Sequence, residues 1–82
     1  MCKYVIDPIA MGAKIKELRN LKKITVAQIC DYVGIYSEQA VYKWQRGESM
    51  PTLDNLVALC ELLDVTTDEL LIRRRIADEY ER

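Results

Sequence analysis

Residues 25–46 read TVAQICDYVGIYSEQAVYKWQR, and the fold turns on how this stretch divides. Its first part, Thr25 to Val33, spaces Val26, Ile29, Cys30 and Val33 along one face of a helix. Thr25 and Gln28 form a capping-box pattern, a hydroxyl at the N-cap and an amide three residues on, and Ile24 stands where a hydrophobic staple belongs. Gly34 ends this helix by supplying the left-handed conformation that turns the chain sharply away. Ser37 is expected to cap a second helix that runs to Arg46 and stops at Gly47. That second helix has Ala40, Val41 and Trp44 on one side and a polar row of Glu38, Gln39, Tyr42, Lys43 and Arg46 on the other.

Two short capped helices about a glycine turn, the second with a polar outer row, outline a helix-turn-helix that reads DNA in the major groove. The row has suitable chemistry. Gln39 can pair bidentately with adenine, and Lys43 can reach guanine O6 or N7. Tyr42 can meet a thymine methyl or a phosphate, and Glu38 can accept from a cytosine amino group but would repel phosphate. Each is also an ordinary exposed helix residue, so residue type alone leaves both readings open. Trp44 shares a face with Ala40 and Val41 and reads as a core pin holding the helix.

The flanking chain supplies three more helices. Asp7-Pro8 is a good helix start, although Gly12 weakens the first turns by about 1 kcal/mol and favours a start near Met11. Helix 1 runs to about Lys22, with Ile15, Leu18 and Leu21 as its inner stripe and Lys14, Lys16, Arg19, Lys22 and Lys23 over its other faces. Pro51 breaks the connector after Gly47, and Thr52 caps helix 4, Leu53 to Leu63, which is apolar over most of its circumference and so expected at the centre. Thr66 to Glu69 is a second capping box, so helix 5 begins near Thr67 and carries Leu70 and Leu71 inward. Arg74–Asp78 and Arg75–Glu79 stand at i,i+4, which predicts that residues 73–82 extend helix 5. Ile76 and Tyr80 on that extension share a face without an obvious core and suggest a small dimer contact or an ordered tail. Residues 1–11 are expected to form an N-terminal arm and the start of helix 1, with residues 12–72 as the helix-turn-helix domain. Val5-Ile6 makes the arm either loose or a short strand pairing with another copy.

Eighty-two residues make one domain and one all-α core, with connections of only a few residues. Formal net charge is −1, which looks poor for a nucleic-acid binder, but the charge is segregated. Residues 1–47 hold eight bases against four acids, residues 48–72 hold six acids and no base, and the last ten hold four bases against three acids. The positive half coincides with the proposed DNA-facing half. The three cysteines match no metal-ligand spacing, and Cys30 and Cys60 fall on apolar faces, where a thiol behaves as a small hydrophobe. The sequence has no histidine, which removes the commonest general base and any Cys–His pair, so neither an enzyme nor a metal or other cofactor is expected. No secretory signal or membrane-spanning run is recognisable, which makes the cytoplasm the expected compartment.

From Gly12 to Leu71 the chain resembles the Cro/repressor-type helix-turn-helix domains, also called the xenobiotic-response-element family. The stretches KIKELRNLK, TVAQICDYVG, SEQAVYKWQRGESMPTLDNLVALCELLDV and TTDELL carry the resemblance, most specifically from Val41-Tyr-Lys-Trp through Arg-Gly-Glu to Pro51. The resemblance implies a compact five-helix, lambda-repressor-like domain with the motif at helices 2 and 3. It further implies a cytoplasmic transcriptional regulator, a repressor by preference, bound as a homodimer to palindromic double-stranded DNA. Matched by position, it puts Glu38, Gln39, Tyr42 and Lys43 at base-reading places and Arg19, Ser37 and Arg46 at phosphate contacts. Three departures stand out: one more residue than usual between Gly34 and Trp44, so that Ile35-Tyr36 must bulge; Val26 where relatives often carry a polar phosphate ligand; and the acidic Glu38. An alternative within the same fold is a protein-interaction module, antitoxin-like, binding a protein partner through the acidic stretch Glu48 to Glu69 together with Ile76 and Tyr80.

Overall fold

The structure, a computed structural model, describes residues 2–77, with side chains for residues 3–76. Five helices follow one another as expected: α1 Pro8–Leu21, α2 Val26–Val33, α3 Glu38–Arg46, α4 Leu53–Leu63 and α5 Thr67–Leu70. A minor two-stranded sheet flanks them, β1 Cys2–Ile6 and β2 Arg73–Ala77.

The helix ends are set by local chemistry. Thr25, Thr52 and Thr66 each accept from the backbone N–H three residues on, and Thr25–Gln28 and Thr66–Glu69 form complete capping boxes. Gly34 and Gly47 end α2 and α3 with φ of 86° and 75°, in the left-handed region. Asp7 caps α1 by accepting from the Ala10 N–H at 3.0 Å, so the helix starts at Pro8 rather than near Met11.

One core joins all five helices. Met11 and Ile15 from α1, Val26, Ile29 and Cys30 from α2, and Val41 and Trp44 from α3 meet Leu56, Leu59, Cys60 and Leu63 from α4 and Leu70 from α5. Gly12 is not merely a weak point in α1. It is buried, and a Cβ there would lie 2.2 Å from the Trp44 carbonyl oxygen and 2.6 Å from that of Gln45. Its missing side chain is what lets α1 lie directly on the end of α3.

Other expectations fail. Residues 73–77 are a strand, not a helical extension: β2 pairs antiparallel with β1, from Cys2 opposite Ala77 to Ile6 opposite Arg73. The i,i+4 charge pairs that argued for helix are worth only a few tenths of a kcal/mol, whereas the N-terminal arm satisfies the backbone of β2 across a ladder. The arm thus finds its partner within the chain; Asp78, Glu79 and Tyr80 lie outside the described residues. Leu21 points to solvent, 72% exposed, because the inner face of α1 shifts to Met11, Gly12 and Ile15. On α4, Leu53 and Val57 are exposed, since neighbours cover only the Leu56–Leu59–Cys60–Leu63 side. Ser37 stands at the N-cap of α3, but its side chain makes no capping hydrogen bond.

Burial pushes the Cys30 and Cys60 thiols above their ordinary pKa, with the nearby carboxylates of Glu38 and Asp31 adding at Cys30 and that of Glu69 at Cys60. A thiol pKa raised by folding contributes stability that is fully present below the unfolded value and lost as pH rises toward the folded one. Urea midpoints are therefore expected to decline above about pH 8.5, and less steeply in Cys60→Ala. Equal slopes in the two proteins would mean that other groups cause the decline.

Candidate nucleic-acid interface

The candidate interface centres on α3, whose nine residues divide cleanly. Val41 is wholly buried, Trp44 is 5% exposed and Ala40 is half-buried, while Glu38, Gln39, Tyr42, Lys43 and Arg46 are exposed. Positions 39, 42, 43 and 46 follow the three- and four-residue helical steps and so form one continuous outward row. Trp44 points inward, as its company with Ala40 and Val41 required.

The turn before α3 is closed by backbone hydrogen bonds to the end of α2. The N–H groups of Gly34 and Ile35 both donate to the Cys30 carbonyl, at 2.8 and 3.1 Å. Ile35 then packs against the core while Tyr36 stands fully in solvent. Of the two residues between Gly34 and Ser37, one thus faces the core and the other solvent.

Arg19 is half-buried and joins elements. Its Nε donates to Gln45 Oε1 at 3.0 Å, and a terminal nitrogen donates to the Ile24 carbonyl at 3.3 Å. These bonds tie α1 to α3 and to the turn before α2, and among the described residues the other guanidinium donors have no hydrogen-bond partner. Gln45, which holds Arg19, gave no sequence signal, because a glutamine between a tryptophan and an arginine looks like any surface residue. Arg46 donates to the Glu48 carboxylate, and that hydrogen bond, followed by the positive charges of Arg46 and Lys43, holds Glu48 below the usual carboxylate range. Arg46 therefore offers less net charge at the end of α3 than its sequence position suggested. Ser37 is exposed at the opposite end, with its hydroxyl not spent on a cap.

Seven residues chosen from sequence thus fall in three places: Glu38, Gln39, Tyr42 and Lys43 on the outer face of α3, Arg19 and Arg46 near its C-terminal end, and Ser37 at its N-terminal end. On α2, Val26 is buried, while Gln28 is exposed with its oxygen engaged by the Thr25 N–H. Helix 2 accordingly presents little polar chemistry of its own. Among the described residues, no helix is long and apolar enough to cross a membrane.

A protein-family model described as helix-turn-helix matches residues 15–70. The chain is similar to the cryptic phage CTXphi transcriptional repressor RstR of Vibrio cholerae serotype O1, 43% identical over 61 residues that cover 70% of this chain and 54% of that protein. It is similar to repressor protein C2 of Salmonella phage P22, 38% identical over 61 residues that cover 74% of this chain and 28% of that protein. The chain thus spans about half, or less, of the length of these curated relatives. Among solved structures, the P22 c2 repressor in complex with synthetic operator 9T superposes with a TM-score of 0.69 at 38% identity, covering 74% of this chain and 91% of that one. The restriction-modification controller protein C.AhdI from Aeromonas hydrophila superposes with a TM-score of 0.70 at 26% identity, covering 78% of this chain and 96% of that one.

Proposed function

The chain belongs to the helix-turn-helix family, and from that premise we propose that it is a sequence-specific DNA-binding transcriptional regulator, acting as a repressor, with α3 laid in the major groove. The observation that carries the reading is the division of α3: a buried Val41–Trp44 side fixes the helix, and Gln39, Tyr42 and Lys43 are exposed on the other side. A relative named as a repressor, solved on a synthetic operator, has the same fold at 38% identity.

In this reading Gln39 and Lys43 read bases, Tyr42 adds a methyl or phosphate contact, and Glu38 selects cytosine while rejecting close phosphates. Arg19, Arg46 and Ser37 meet backbone phosphates at the two ends of α3 and fix its register. The protein works as a cytoplasmic homodimer on a palindrome, by binding rather than catalysis.

Gln39→Ala is expected to weaken binding to the cognate duplex by about 1–3 kcal/mol and to leave a scrambled duplex nearly unaffected. Fluorescence anisotropy on the two duplexes reads this directly. Equal losses on both would remove Gln39 from the base-reading set.

A further inference from the structure

We infer that the β1–β2 ribbon is a second contact with duplex DNA, meeting backbone phosphates beside the site read by α3. The inference rests on the DNA-binding reading above. The two strands, CKYVI and RRRIA, carry Lys3, Arg73, Arg74 and Arg75 and no acid, within a chain whose formal net charge is −1. Folding changes what that cluster can do. In sequence the arginines follow a block, residues 48–72, with six acids and no base, far from the basic first half. In space the Asp7 N–H donates to the Ile72 carbonyl at 2.8 Å, and the ladder sets the arginines alongside the strand that carries Lys3.

The place where the ribbon is rooted matters as much as its charge. It leaves the body at the start of α1, and the first turns of α1 lie on the end of α3. Gly12 abuts the Trp44 and Gln45 carbonyls, and Gly47 abuts Ile9. The ribbon therefore begins at the C-terminal end of the reading helix, on the side where Lys43 is exposed and Arg46 is offset by Glu48.

Alternation along the strands sorts the side chains. Tyr4, Ile6, Arg73 and Arg75 share one face, where the Arg73 guanidinium sits 5.4 Å from the centre of the Tyr4 ring and Ile6 packs into the core. Lys3, Val5, Arg74 and Ile76 share the other, on which Lys3 and Arg74 are diagonal neighbours roughly 7–8 Å apart. Both cations are exposed, and among the described residues neither has a carboxylate within ion-pair distance. Cations on an open strand edge also discourage edge-to-edge association. That role alone asks for charge of either sign, and this ribbon carries only positive charge.

The test uses the full chain, the double variant Lys3→Gln/Arg74→Gln, and Arg74→Lys. Each is titrated by anisotropy against cognate and scrambled duplexes of equal length at several salt concentrations. The double variant is expected to bind both duplexes more weakly by the same severalfold factor. Its log–log salt slope is expected to be shallower by about 0.9 per lost phosphate contact. Arg74→Lys keeps the wild-type slope, and melting curves confirm that all three proteins fold. An unchanged slope in the folded double variant would overturn the inference, as would a loss confined to the cognate duplex. So would a shift in sedimentation mass with the slope unaltered, which would make the ribbon a contact between copies. If Gln39→Ala discriminates as expected while the ribbon variants change nothing, only the ribbon assignment falls; if the wild type binds no duplex, both fall.

Discussion

Gly12→Ala is expected to destabilise the domain by about 3 kcal/mol, although alanine is the better helix former by about 1 kcal/mol and Gly12 lies inside α1. The reason is distance. The added methyl would sit 2.2 Å from the Trp44 carbonyl oxygen, 2.6 Å from the Gln45 carbonyl oxygen and 2.8 Å from the Gln45 carbonyl carbon. All three atoms are backbone at the end of a capped helix, so no rotamer change relieves the clash. Either α1 lifts away from α3, opening the Met11–Ile15–Trp44 packing, or α3 tilts and takes its outer row with it. For a domain of this size each kcal/mol moves the midpoint by about 4–8 °C, so the melting temperature should fall by well over 10 °C. Gly34→Ala is the contrast: nothing lies within 4 Å, and only the left-handed φ opposes the substitution, at about 1–2 kcal/mol. A Gly12→Ala protein that melts at or above the wild-type temperature would show that the two helices do not approach this closely.

Trp44→Ala is expected to cost about 3–5 kcal/mol, the range for removing a large buried aromatic side chain. An 82-residue domain has on the order of 4–12 kcal/mol in all, so the variant should be marginal at best near 37 °C. Trp44 is 5% exposed within the core cluster, its carbonyl lies against Gly12 of α1, and it is the only tryptophan in the chain. The same residue thus provides a fluorescence probe of wild-type unfolding, and circular dichroism follows the variant. Its loss should abolish DNA binding in proportion to the unfolded fraction. Trp44→Phe should retain most of both stability and binding. A Trp44→Ala protein that melts cooperatively within a few degrees of wild type would contradict the role of this side chain as the anchor of α3.

These two positions show what was legible in the sequence and what was not. Trp44 could be assigned inward because Ala40 and Val41 share its face, and helical spacing is a local property. The caps at Thr25, Thr52 and Thr66 and the stops at Gly34 and Gly47 are likewise local, and five helices with nearly correct ends follow from them. Gly12 was different. A glycine within a helix reports only that a side chain is missing, and the reason lies in the carbonyls of a helix some 30 residues away in the chain. The strand at residues 73–77 failed on the same ground. Its local signals were weak helix signals, and what decided it was pairing with an arm at the opposite end of the chain. Apolar character puts Leu21 in an inner stripe and helix 4 at the centre, but Leu21, Leu53 and Val57 are exposed because covering each face is a matter of tertiary geometry. In the candidate site, the outer row of α3 was legible residue by residue. The bond between Arg19 and Gln45 was not, because it joins two helices through side chains without distinctive neighbours.

The central claim is that the outer face of α3 recognises particular base pairs in duplex DNA. Selection of binding sites from a random duplex pool by the purified chain tests it most directly. The account predicts enrichment of a palindrome whose half-sites are about one helical turn apart, or a multiple of it, as a two-fold dimer with one reading helix per half-site requires. A pool recovered without any enriched sequence, despite salt-sensitive binding, would contradict it.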